Sequence, residues 1–372
     1  MTYCKNCILP DTRPNLVIGD NGICNACNSH STKKNINWQE RETLFQRVVE
    51  NAKSNSQGYD CLIPVSGGKD STWQVVKCLE YGLNPLAVTW KTPARSKIGQ
   101  ENLDNLINLG VDHIDYQINP KVEKKFLYQA LVRFGATAVP MHMAMFNIPP
   151  RIALRFNIPL IIWGENSAFE YGSKSVALTG FELDNNWFKQ FGVTHGTTAA
   201  DWISEELSKK KLTAYYGPSD DDLKGNNIKA IFLGYYFEWD VEKSLDAALK
   251  NGFKVRDDGP KTGYYNYADI DDDFISIHHW LKRYKFGFTR LWDNLSLEIR
   301  NKRMTRKDAV EILSERGGEM PQEDIAKFCE FVGISKVHFL EICENFRNKS
   351  IWFYENSRWK IEDFIISDWK WE

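Results

Sequence analysis

Several features are missing from this chain of 372 residues, and each missing feature excludes a class of function. No stretch approaches the roughly 18 consecutive apolar residues of a membrane-spanning helix, so insertion into a bilayer is not expected. Positive charge is not in excess: 47 Lys and Arg face 49 Asp and Glu, a formal net charge of -2. The chain therefore has no global field to hold a nucleic-acid backbone, which argues against a nucleic-acid partner while leaving room for a local basic patch. The opening MTYCKNCILP has no basic segment followed by an apolar run, so a soluble, cytoplasmic protein is expected. Material for a core is ample, with 42% hydrophobic residues, and 13 Trp, 15 Tyr and 21 Phe favour large buried contacts or flat ligands.

Cysteine is used sparingly and in two ways. Cys61, Cys78, Cys329 and Cys343 are isolated and suit a reduced core. Cys4, Cys7, Cys24 and Cys27 form two CxxC pairs with sixteen residues between them. A CxxC turn aims two thiolates at one point, so two such turns predict tetrahedral S4 coordination of Zn2+, with an iron-sulfur cluster or a redox dithiol as the alternatives. Asn6, Gly22 and Asn25 supply the tight backbone. Four thiolates leave no open coordination position, so the metal is expected to be structural. It would supply on the order of 10 kcal/mol of folding energy to roughly 35 residues that cannot bury a core of their own.

Beyond Asn37, which with Glu40 opens an amphipathic helix, short apolar runs alternate with helical patterns. The runs are YDCLIPV (59–65), PLAVTW (85–90), HIDYQI (113–118) and PLIIWGE (159–165). Alternation of this kind predicts an α/β fold with a doubly wound parallel sheet and ligands beyond the carboxyl ends of its strands. The first such end carries SGGKDS, Ser66 to Ser71. Gly67 and Gly68 let the backbone form a nest of N–H groups, and the helix beginning near Asp70 adds its positive end, a phosphate site. The hydroxyls of Ser66 and Ser71 can donate to the same oxygens and Lys69 can neutralise their charge. The spacing is not that of a Walker loop.

SGGKDS resembles the pyrophosphate-binding PP-loop of the ATP-pyrophosphatase superfamily, whose members cleave ATP between the alpha and beta phosphates. That resemblance implies adenosine at Thr89 and Trp90. It also draws attention to WGENSAFEYGSKS, where Gly164 permits close approach, Asn166 offers an amide, and Glu165 or Glu170 could hold Mg2+ through water. Lys69, Asp70 and Glu165 are the candidates for catalysis.

The order CxxC…CxxC, PP-loop, WGEN…EYG and YKFGFTR (284–290) is similar to the N-acetyl sugar amidotransferases of bacterial lipopolysaccharide O-antigen and nonulosonic acid synthesis, nearly end to end. The resemblance implies a zinc ribbon at 1–35, a PP-loop domain at 36–215, and a region for substrate or partner at 216–372 that ends in a helical unit. It implies an ATP-dependent conversion of an acetamido group, on a sugar expected to be nucleotide-linked, to an acetamidino group. The amide oxygen would be adenylated, and ammonia would displace AMP. No cysteine here sits at a nucleophile turn near a His, so ammonia is expected from glutaminase and cyclase-like partner subunits. The alternatives are a tRNA-thiolating PP-loop enzyme and a non-catalytic ATP-binding assembly subunit.

Elsewhere, Arg256, Lys261, Lys285 and Arg290 are candidates to meet a diphosphate or carboxylate, and His195, His278 and His279 are candidate proton carriers. The acidic runs at 220–222 and 269–273 are expected to repel and face water.

Overall fold

The computed structural model describes residues 1–175, 179–367 and 369. Five strands form one parallel sheet: β1 (Cys61–Pro64), β2 (Pro85–Trp90), β3 (Asp112–Tyr116), β4 (Leu160–Trp163) and β5 (Lys229–Phe232). Their order is β3-β2-β1-β4-β5, so the chain winds outward one way from β1 and then reverses to β4. This is the doubly wound arrangement expected from the sequence, and its switch point between β1 and β4 opens a crevice at the strand ends.

Alternation along the strands feeds two cores. Leu62, Leu86, Val88 and Ile161 point into one layer, against the helices Pro120–Phe134 and Ala138–Phe156. Cys61, Ile63, Ala87, Leu160 and Ile162 point into the other, which holds Phe45 and Val49 of the helix Trp38–Asn55 and Val75 and Cys78 of the helix Lys69–Glu80. The Asn37 side chain caps the first of these helices by accepting from the Glu40 N–H, 3.2 Å.

A domain boundary at residue 215 would cut this sheet, because β5 lies beyond it and pairs with β4 from Leu160–Lys229 to Trp163–Phe232. The expected division needs that correction. The N-terminal ribbon is not free-standing either. Its four cysteines, Ile8, Leu9 and Leu16 share a core with Phe288, Leu291, Trp292 and Leu295 of the helix Arg290–Arg300 and its approach. The C-terminal helices Arg306–Arg316, Gln322–Val332 and Lys336–Glu344 are present, and a hairpin of β6 (Trp352–Glu355) and β7 (Arg358–Ile361) follows them. No helix among the described residues is long and apolar enough to cross a membrane.

Candidate functional site

A cavity of about 830 Å³ lies at the carboxyl ends of the strands. The sheet contributes Ser66, Thr89, Trp90, Gly164, Glu165 and Phe232, and the helix after β1 contributes Asp70, Ser71 and Gln74. The helix Ala138–Phe156 offers Met141, His142, Met145, Phe146 and Pro149, one face at helical spacing. The opposite wall is built from Asp269, Asp271, Asp272, the helix Ile275–Phe286 and the start of the helix Arg290–Arg300.

SGGKDS makes the turn that its glycines permit. Gly67 has φ +89°, and a Cβ there would lie 2.8 Å from the Leu103 backbone nitrogen, so the loop is pressed against the next helix. Ser71 Oγ accepts from the Ser66 N–H at 3.0 Å, and Ser66 Oγ accepts from the Gly68 N–H at 3.2 Å. Gly68 caps the helix Lys69–Glu80 without a side chain, so its first-turn N–H groups have no intrahelical acceptor. The side chain of Lys69 is placed differently from the sequence expectation: it is buried, bonded to Asp70 at 2.6 Å and set over the Trp239 ring, and it is not part of the cavity lining. Asp70 does line the cavity and also accepts from Trp239 Nε1, 3.0 Å.

The other expected residues divide in the same way. Thr89 hydrogen-bonds His113 at 2.9 Å, Trp90 donates to Glu123 at 2.9 Å, and both border the cavity. Glu165 borders it too; burial, and then the Asp70 charge, push its carboxyl up to about 7. Asn166 does not line it. Its side chain caps the helix Ser167–Tyr171, donates to the Gly180 carbonyl and accepts from Trp187 Nε1. Glu170 is buried against Lys33 at 2.6 Å, and Lys174 is exposed; neither lines the cavity.

The run Asp269 to Asp273 corrects a sequence expectation, because it does not face water. Ser96 N–H donates to the Asp271 carbonyl, Ser96 Oγ donates to the Ile270 carbonyl, and Thr92 Oγ1 donates to Asp272, 2.9 Å. A long-range contact with the segment after β2 thus folds the run over the cavity. Burial pushes Asp271 up to about 6 and Asp272 up to about 7, while Asp273 is held down by Lys261 and Lys327 against the effect of burial. Lys261 is spent on that pairing and Arg256 on Asp258 and the Gly259 carbonyl, so neither reaches the cavity.

Lys285 and Arg290 do reach it, joined by Lys282 and by His195, His278 and His279. Burial and neighbouring Lys282 bring Lys285 down to about 8. Burial pushes His278 and His279 well below the usual imidazole range; neither Nδ1 has a hydrogen-bond partner among the described residues, and that of His279 lies 3.9 Å from Asp269. His142, set inside the apolar run AVPMHMAM, carries no sequence signal yet lines the same cavity, its ring 6.3 Å from that of His278.

The four ribbon cysteines are buried, with their sulfurs all within 4.8 Å of one another. Cys4 and Cys27 sulfurs lie 3.9 Å apart, and those of Cys7 and Cys24 lie 3.8 Å apart. The edge of a tetrahedron with Zn–S bonds of about 2.3 Å is about 3.8 Å, so the donor set fits zinc without rearrangement. A second feature agrees. Arg300 is buried, and its Nε, Nη1 and Nη2 have no hydrogen-bond partner among the described residues. Burial disfavours its charge, but Cys7, Cys27 and Cys24 as thiolates more than offset that, as the counter-charge to a dianionic tetrathiolate would.

Comparison with known proteins bears on the basic wall. Residues 261–365 match the family model described as LPS biosynthesis protein WbpG-like, C-terminal domain. Over this segment the chain is similar to the WbpG-like proteins. The WbpG-like domain supplies Asp269 to Asp272, the three basic side chains Lys282, Lys285 and Arg290, and both adjacent histidines. No curated protein matches the chain. Among solved structures, NMN synthetase from Francisella tularensis is similar at 17% identity over 58% of this chain and 93% of that one, TM-score 0.28. A predicted tRNA methyltransferase subunit from Methanocaldococcus jannaschii is similar at 15% identity over 64% and 90%, TM-score 0.27. At TM-scores this low neither likeness bears on the fold, which is read from the strand order of the chain itself.

Proposed function

We propose that this WbpG-like protein is an ATP-dependent enzyme of lipopolysaccharide synthesis that converts the acetamido group of a sugar to an acetamidino group. One observation carries the reading: Ser66, Asp70 and Ser71 of SGGKDS and the basic wall of the WbpG-like domain face a single cavity. The strand-end half offers ATP a phosphate loop, the free N–H groups of a helix start, and Trp90 for the base. The opposite half offers a sugar's anionic group several cations.

An amide oxygen is a poor leaving group, and joining it to AMP removes that obstacle. The acetamido oxygen attacks the alpha phosphorus and pyrophosphate departs, its charge met by the helix start and the loop amides. Ammonia then adds to the imidate carbon, the C–O bond breaks with its electron pair leaving on AMP, and the former amide oxygen remains on AMP. The added nitrogen gives up its proton to a neighbouring base, for which the neutral imidazoles of His278 and His279 are available on the wall. Asp70 and Glu165 are the residues that would hold Mg2+ with the phosphates, and the ion would add charge neutralisation there. All eight cysteines are buried, four in the ribbon cluster and four in cores, so the reading takes ammonia from glutaminase and cyclase-like partners.

The test is mass spectrometry of products from ATP, ammonium and an 18O-labelled acetamido sugar. AMP, pyrophosphate and label in AMP are expected; ADP with phosphate, or label retained on the sugar, would falsify the reaction. Consumption of a sulfur donor with tRNA would assign the chain to thiolation instead.

A further inference from the structure

Part of the cavity wall comes from the ribbon. Arg13, Pro14 and Asn15 lie between the two CxxC turns, yet they line the cavity. Arg13 Nε pairs with the buried Asp293 at 2.7 Å, its Nη1 donates to the Tyr171 and Pro14 carbonyls at 3.2 Å each, and its Nη2 has no partner among the described residues. The guanidinium is thus fixed on one edge and open on the other. Around it, Lys282, Lys285 and Arg290 make four cations on this wall with Arg13, and Asp269 and Asp293 are their two anionic partners. Asp271 and Asp272 line the same wall, so what is left for a ligand is the open edge of Arg13 rather than a surplus of cations.

The second CxxC turn fixes the loop that carries Arg13. Asn25, between Cys24 and Cys27, donates from Nδ2 to the Asn15 carbonyl at 3.0 Å and to the Ser173 carbonyl at 3.1 Å. Its Oδ1 accepts from the Val17 N–H at 3.2 Å. Gly172 lets this turn approach, since a Cβ there would lie 2.9 Å from Asn25 Oδ1. Asn15 itself is held at φ +63°, a conformation that asparagine tolerates. One four-residue turn therefore presents two metal ligands outward to the cluster and one amide back to the cavity loop.

We infer that the ribbon is a working part of the binding site: Arg13 binds the diphosphate of a nucleotide-linked sugar, and Asn25 positions the loop that presents it. The inference rests on the reading above that the substrate is an acetamido sugar. A diphosphate offers paired anionic oxygens, and an open guanidinium edge matches two of them.

The test is calorimetric binding of UDP-N-acetylglucosamine to the zinc-loaded protein with the ATP half filled by a non-hydrolysable ATP analogue. Arg13→Ala is expected to weaken the probe about tenfold, the range of a lost charge-assisted pair. It should leave the analogue's affinity and the zinc content unchanged. Arg13→Lys should lie between, keeping charge without the fork. Asn25→Asp keeps the acceptor and loses the donors; it should retain zinc, weaken the probe, and add nothing further in Arg13→Ala. No binding of the probe by the wild type, or wild-type affinity in Arg13→Ala, overturns the inference. Additive losses in the double variant overturn the role of Asn25. Release of AMP and pyrophosphate, measured separately, decides the reaction itself.

Discussion

Glu123 and Asp293 show how one environment can raise a carboxyl and another lower it. Both are almost fully buried, and burial alone pushes each upward. Asp293 has Arg13, Lys282 and Arg290 beside it, and their charges hold it well below the usual carboxylate range. Glu123 has only the N–H of Trp90, 2.9 Å away, and stands at about 8. A carboxyl raised in the folded state contributes stability below its ordinary pKa, and that contribution is lost as pH climbs to the folded value. For Glu123 the window runs from its ordinary 4.5 to about 8. Across it folding free energy should decline by up to about 1.4 kcal/mol per pH unit from this one group. Glu123→Gln keeps an acceptor for Trp90 and removes the titration. Urea unfolding at pH 5.5 and 7.5 should show a shallower decline in the variant, and equal declines in both proteins would sink the assignment.

At the scale of elements, what was legible depended on whether an element's reason for existing was local. β1, β2 and β4 are apolar runs bounded by turn chemistry, and SGGKDS stands at a strand end, so both the sheet and this loop can be read from neighbouring residues. KAIF, which becomes β5, is four residues long and follows an exposed acidic helix, so nothing adjacent announces it. The burial of Asp271 and Asp272 is likewise set by partners far away, at Ser96 and Thr92. Lys69 and Asn166 are ordinary polar residues of a motif until Asp70, Trp239, Gly180 and Trp187 fix their direction. Gly99 is the hinge point of the long-range closure: a Cβ there would lie 2.6 Å from the Asp271 Cα, inside any tolerable contact. Gly99→Ala should therefore force the 269–273 segment off the cavity, at about 1–3 kcal/mol of overpacking. Its melting temperature and ATP turnover should both fall; unchanged turnover in Gly99→Ala would remove that segment from the site.

For the whole molecule, the four-cysteine cluster and the cavity are joined through one helix. Arg290 at the start of the helix Arg290–Arg300 lines the cavity, and Arg300 at its end carries the charge that faces the cysteines. Between them Leu291, Trp292 and Leu295 pack with Ile8, Leu9 and Leu16 of the ribbon, and Ala309 and Leu313 extend the same core into the next helix. Ribbon residues too few to form a core of their own thus borrow one from the WbpG-like domain, and a metal on the four cysteines would share its stabilisation with it. If that is so, losing zinc cannot stop at the ribbon. Stripping the metal with a chelator should abolish hydrogen-exchange protection in 3–27 and, with it, in 290–313. The strands β1 and β2, which belong to other cores, should stay protected. Protection lost from 3–27 alone would mean that the shared core holds without its metal, and the ribbon would then be an appendage rather than part of the site's frame.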